Sequence, residues 1–294
     1  MATVGLLHPG EMGAAVGGCL VSAGHTVLWD PAGRSRATTG RALAAELSGA
    51  DLPAIVARCP VILSICPPHA ALDVARQVAA AGFSGIYVDA NAISVTTASA
   101  VASIVTDGGA SYVDGGIIGP PPEATGRTRL YLSGERAAEV RAMFAQSALD
   151  ARIAEGPPFA ASAVKMAYAA WTKGTSALLL ACRALARSEG VEQTLLGEWA
   201  LSQPALQAQS ERSAAAAAAK GWRWVAEMEE IAASMAAAGL PAGFHQAAAE
   251  IFDRGARAAR ADAAAASRPA EASGPSGAAD AGGSALDTIM SALT

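Results

Sequence analysis

Aromatic residues make up 5% of the 294 residues and charged residues 16%, with 21 Lys and Arg against 26 Asp and Glu. A net charge of −5 with no Lys/Arg cluster gives no basic field for a nucleic-acid backbone, so a DNA- or RNA-binding role is excluded. Cys19, Cys59, Cys66 and Cys182 lack CxxC spacing and nearby histidines. They read as buried thiols of a reducing compartment, and no zinc or other metal site is expected. No uninterrupted apolar run approaches the roughly 18 residues that a membrane span needs. Met1 leads straight into an apolar run without a charged segment or cleavage site. The expectation is a soluble, cytoplasmic protein with no membrane partner.

What is abundant is alanine and apolar sequence: 52% of the residues are hydrophobic, enough for a large core. TVGLLH, HTVLWD, PVILSICP, GIYVDA, SYVDGG, TRLYLSG and ARIAEG read as short apolar strands. ATTGRALAAELSG, HAALDVARQVAAAG and SVTTASAVASIVTDGG, among others, read as the helices between them. Apolar strands alternating with helices predict an α/β Rossmann-type, doubly wound parallel sheet covered on both faces. After Gly156 the alternation stops and the chain reads helical, in segments 156–190, 191–209, 213–227, a stretch ending at Gly239, and 244–260. The expected organisation is a dinucleotide-binding domain at 1–157, a helical substrate and dimerisation domain at 158–262, and an Ala/Gly/Ser-rich flexible tail at 263–294. The last ALDTIMSAL is amphipathic and suited to docking back on the protein or on a partner subunit.

The first βα turn is where a doubly wound sheet holds a dinucleotide, because backbone N–H groups and a helix N-terminus converge there. The G-x-G-x-x-G positions are His8, Gly10 and Gly13, with Pro9, Glu11 and Met12 between. Gly10 allows the phosphates to approach and Gly13 allows the helix to pack. His8 departs from the pattern and, at the nicotinamide end of the turn, reads as a loop filler. Asp30 closes the second strand where an acid would take ribose hydroxyls, favouring NAD. Arg34, Ser35 and Arg36 instead suit a 2′-phosphate. Pro31 can turn Asp30 toward its own loop, so the reading leans to NADP, with NAD possible.

The segment 156–190 spans about nine helical turns and is apolar on every side, predicting a helix buried all round. Ser162, Lys165, Tyr168, Thr172 and Ser176 form one polar stripe within roughly 60° of the Lys165 direction. A lysine in so apolar a helix either snorkels to water or faces a cleft. Glu227, Glu229 and Glu230 fit a solvated face, and also a cleft wall that binds a cation or tunes Lys165.

With Gly10, Met12, Gly13 and Lys165 in hand, residues 1 to 260 resemble the β-hydroxyacid dehydrogenase superfamily. It includes 3-hydroxyisobutyrate and 6-phosphogluconate dehydrogenases and, more distantly, imine reductases. VGLLHPGEMG is similar to the family's opening strand and turn. The resemblance implies a cofactor contact at Cys66, Pro67 and Pro68, and makes Asn91 a ligand of cofactor ribose or substrate. It places the substrate loop at Gly116, Ile117, Ile118 and Gly119, and the catalytic lysine at Lys165. Ile118 stands where the family has a serine and Ala169 where it has an asparagine. Tyr168 or Thr172 is then left to supply the missing hydrogen bond, and Ile117, Ile118 and Trp171 favour a more apolar substrate. The implied function is hydride transfer at a hydroxyl or carbonyl carbon of a small organic substrate, with Lys165 relaying the proton; the residues add the lean to NADP and, as a cleft wall, Glu227 beside the substrate. An imine reductase-like enzyme and a non-catalytic dinucleotide-binding protein are the alternatives. A homodimer through the helical domain is expected.

Overall fold

The computed structural model describes residues 1–266 and 284–294, and most of the tail expected to be flexible lies outside the described residues. Two compact units are present, Met1–Tyr168 and Ala169–Thr294. The first unit therefore reaches eleven residues beyond the expected boundary at 157, because the opening turns of a long helix pack on the sheet.

In the first unit, β1 (Thr3–Leu7), α1 (Glu11–Ser22) and β2 (Thr26–Trp29) form the opening βαβ unit. α2 (Arg36–Ala44), β3 (Ser48–Gly49), α3 (Leu52–Arg58), β4 (Val61–Ser64), α4 (Ala71–Ala80), β5 (Ile86–Asp89), α5 (Val95–Asp107) and β6 (Ser111–Ile118) follow. β7 (Thr128–Ser133), α6 (Ala137–Met143) and β8 (Leu149–Ile153) complete one sheet of order β3-β2-β1-β4-β5-β6-β7-β8. β4, β5 and most of β1 are buried, as strands covered on both faces require. Two core clusters lie on the two faces, one around Leu6, Val88 and Leu132, the other around Ile55, Tyr87 and Phe83.

The sheet is parallel only as far as β6. β7 runs antiparallel to β6, and β8 parallel to β7. The connection 119–127 is too short for a parallel crossover of about a dozen residues or more, so the chain must turn back. β3 and α3 were not among the expected elements; Asp51 caps α3 by accepting from Ala54 N at 2.9 Å.

α7 (Ala160–Ser188) begins in the first unit. The second unit continues with α8 (Glu192–Ser202), α9 (Leu206–Ala237), α10 (Gly243–Ala266) and α11 (Ala285–Leu293). The break expected near 210 is absent: α9 is one helix through the alanine run. Gly221 does not end it; it admits the neighbouring helix, since a Cβ there would lie 3.3 Å from the Phe252 carbonyl oxygen. The terminal ALDTIMSAL docks on α9 and α10 of its own chain, burying Ile289 and Met290 completely. A Cβ on Gly255 would lie 2.6 Å from Ile289 Cδ1, so a glycine makes that seat.

α7 is not buried all round. Trp171 is 73% exposed, Leu185 64% and Leu178 48%, one every seventh residue. No helix among the described residues is long and apolar enough to cross a membrane, and no group of residues there could hold a metal ion.

Candidate functional site

The first turn is built around His8, whose φ of +65° puts an L-residue in the left-handed region. Its carbonyl accepts from Gly10 N at 2.7 Å. That same oxygen would lie 2.5 Å from a Cβ on Gly13, so only glycine fits there. A Cβ on Gly10 would meet nothing within 4 Å, leaving open space before α1. No side chain caps this helix end. Its free N–H groups and positive end fit a pyrophosphate. Pro9 is buried, while Glu11 and Met12 are half-buried, Met12 against the core.

At the end of β2, Asp30 Oδ1 accepts from Ala32 N at 2.8 Å, so the carboxylate serves its own loop. Ser35 caps α2, its Oγ accepting from Thr38 N at 3.2 Å, and is thereby a structural residue here. Arg36 points to solvent. Arg34 lines a small cavity with His8, Asp30, Leu52 and Gln77. His8 therefore shares its surroundings with the loop expected to read the adenosine ribose. His8 Nδ1 and Arg34 Nε are buried without a hydrogen-bond partner. Burial, then the Arg34 charge, lowers the imidazole to about 4.

Asn91 differs from its expected role as a ligand. Its side chain faces inward, Oδ1 accepting from Cys66 N at 2.6 Å and Nδ2 donating to Ser64 Oγ at 3.2 Å. Its own N–H donates to Asp89 Oδ1 at 2.9 Å. Asn91 thus fixes the turn after β4, and with it Pro67 and Pro68, which open a short 3-10 turn at Pro68–Ala70. The Cys66 thiol is buried and pushed up to about 12 by desolvation, so it is neutral and no nucleophile.

Lys165 is half-buried on α7, over β6. A Cβ on Gly116 would lie 2.9 Å from Lys165 Cβ and 2.6 Å from the Ala161 carbonyl oxygen, so this glycine lets α7 lie down on the strand. Gly116 therefore has a packing duty. Ile117 belongs to the sheet core and Ile118 is buried, so neither forms the open apolar wall expected for substrate. Gly119, at φ +125°, makes the turn toward β7 against the Arg127 carbonyl. Desolvation alone lowers Lys165 from 10.5 to about 8.

The polar stripe does not act as one group. Ser162 belongs to an anchor that the sequence did not reveal: buried Asp114 of β6 accepts from Ser162 N and Ser133 Oγ, each at 2.9 Å, and from Ser162 Oγ. Ser133 Oγ in turn accepts from Ala161 N at 3.2 Å. Two free N–H groups in the first turn of α7 are thereby satisfied. The sequence held one clue, an acid inside the apolar strand SYVDGG. Burial raises the Asp114 carboxyl despite these donors. Ser176 Oγ donates to the Thr172 carbonyl at 3.1 Å, Thr172 is half-buried, and Tyr168 is exposed.

Within the second unit Glu227 is ion-paired with Lys173, whose ammonium lies 5.8 Å from the centre of the Trp224 ring. Glu227 is thus committed to a cation of its own helix bundle, and Lys173 carries no signal in the sequence that would single it out. Arg183, almost fully buried, pairs with Glu192 and donates to Ser210 Oγ at 3.1 Å.

Residues 1–152 match the NAD-binding domain of 6-phosphogluconate dehydrogenase, and residues 186–255 match a domain of unknown function. No curated protein matches the chain in sequence. Among solved structures, a conserved protein described as structurally similar to 3-hydroxyacid dehydrogenases is 28% identical, with a TM-score of 0.63, over 88% of this chain and 98% of its own. A conserved hypothetical protein from Sinorhizobium meliloti is 23% identical, with a TM-score of 0.66, over 99% of this chain and 97% of its own. The 3-hydroxyisobutyrate dehydrogenase of Mycobacterium tuberculosis, solved with L-serine, is 21% identical, with a TM-score of 0.61, over 87% of this chain and 94% of its own. With its glycine turn, its mostly parallel sheet and the helical unit that follows, the chain belongs to the 6-phosphogluconate and 3-hydroxyacid dehydrogenase-like family of dinucleotide-binding proteins.

Proposed function

We propose that the protein is an NADP-dependent oxidoreductase acting on a hydroxyl or carbonyl carbon of a small organic substrate. The observation that carries this reading is Lys165, a lysine on an anchored helix whose ammonium is lowered to about 8 by desolvation alone. A proton donor and acceptor works best when its pKa lies near the working pH. The bound nicotinamide supplies or accepts the hydride. Lys165 takes the alcohol proton in oxidation and returns it in reduction. Gly10 and the uncapped start of α1 receive the pyrophosphate, and Arg34 faces the adenosine end. Ala169 and Ile118 offer no polar contact where the family's asparagine and serine do, which favours a substrate less polar than a small hydroxyacid. An imine reductase is the less favoured reading, since an iminium substrate carries its own charge and a lysine cation opposes it.

A screen of hydroxyacids, amino alcohols and cyclic imines with each nicotinamide identifies the substrate. Lys165→Met then lowers kcat by about a hundredfold to ten-thousandfold while NADPH titration shows unchanged affinity. Undiminished turnover in that variant removes Lys165 from the chemistry.

The exposed stripe of Trp171, Leu178 and Leu185 supports a homodimer built through the helical unit, because seven-residue spacing lets two helices pack along one seam. Sedimentation of a monomer at micromolar concentration would retire the dimer.

A further inference from the structure

His8 is costly as a backbone residue. An L-residue is strained in the left-handed region, and a glycine adopts the same conformation freely. Everything the main chain does here, the carbonyl accepting from Gly10 N and pressing on Gly13, a glycine would do equally well. What His8 adds is its ring. That ring lines the small cavity with Arg34, Asp30 and Gln77, among the apolar side chains of Leu52 and Val74. Nδ1 of the ring and Nε of Arg34 are both buried and both without a hydrogen-bond partner. Each such atom keeps an unrepaid desolvation cost until a ligand satisfies it. Two of them, contributed by separate segments to one cavity, mark a place for a ligand. Asp30 does not fill that role, because its carboxylate is turned to Ala32 N. The imidazole, lowered to about 4, is neutral at pH 7 and keeps one N–H donor without repelling Arg34.

The end of β2 is where a doubly wound sheet holds the adenosine ribose of its dinucleotide. We propose that the His8 imidazole reads the 2′-phosphate of NADP together with the Arg34 guanidinium, so that the residue replacing the first glycine is a determinant of cofactor choice. Guanidinium matches phosphate geometry, and a phosphate has acceptor oxygens for both groups. The unsubstituted ribose of NAD lacks that charge and those oxygens. This inference rests on the reading of the protein as an NADP-binding oxidoreductase.

The test uses the full chain, titrated calorimetrically with NADPH and NADH, alongside thermal melts. His8→Gly is expected to leave Tm unchanged or raised while weakening NADPH binding about tenfold, or about 1.4 kcal/mol, and NADH binding less than twofold. His8→Asn, which tolerates the same backbone and keeps a donor, is expected to recover part of the NADPH affinity. Unchanged NADPH affinity in His8→Gly overturns the proposal, as does an equal loss for both cofactors or a lowered Tm. A wild-type chain that binds NADH but not NADPH overturns it and leaves a dehydrogenase standing. One that binds neither overturns the reading of the function as well.

Discussion

The two units keep their polar groups in opposite ways. In the sheet unit the buried polar groups form two hydrogen-bonded sets, Asp89, Asn91 and Ser64 at the ends of β4 and β5, and Asp114, Ser133 and Ser162 between β6, β7 and α7. In the helical unit the charges pair in fours and twos, Arg183 and Arg187 on Glu192, Arg187 on Asp287, Lys173 on Glu227, between small apolar faces. The sheet unit also buries its large apolar side chains more completely. The helical unit leaves Trp171, Leu178, Leu185, Leu201 and Trp222 exposed. A buried hydrogen-bond lattice fixes one geometry, as a cofactor needs. The alanine-rich helices instead leave an apolar stripe exposed.

The sharpest way to break that contrast is Asp114→Ala. It strips the acceptor from Ser162 N, Ser162 Oγ and Ser133 Oγ, and is expected to cost about 3–5 kcal/mol in urea unfolding. A loss below 1 kcal/mol would mean that the lattice is ornamental. In the helical unit Ile289→Ala empties the seat at Gly255 and is expected to cost about 2–4 kcal/mol, with hydrogen exchange rising in α11 before the rest. Uniform exchange through both units would show that α11 has no separate stability. The smallest effect concerns Lys165 as a structural burden. Its folded pKa of about 8 lies below the usual 10.5, so the native state carries the desolvated ammonium fully below pH 8. That burden is relieved as pH rises from 8 toward 10.5. Lys165→Met should therefore gain on the order of 1–3 kcal/mol at pH 7, since the side chain keeps some water, and nothing at pH 11. A gain that persists at pH 11 would be packing and not charge.

The sheet unit was legible because its signals are local. Strand runs, the Gly10–Gly13 turn and the helix carrying Lys165 are each written in one short stretch. What is not legible there depends on contacts distant in sequence. Asn91 carries the right amide for a ligand, but Ser64 and Cys66 claim it from inside. Asp114 gives no periodic signal; it matters because Ser162, far along the chain, lands on it. Gly221 reads as one more residue of an alanine-rich helix until Phe252 is seen against it. Trp171 reads as a substrate-facing residue of a helix buried all round, yet it is exposed, because composition does not say which sides of a helix are covered.

Gly116 carries a consequence of its own. At Gly116 the helix lies down on the strand, so a single added methyl group would press on the Ala161 carbonyl and the Lys165 Cβ and lever that side chain away from the strand. Variation at position 116 would then shift where the Lys165 ammonium stands from a position that carries no ionisable group at all.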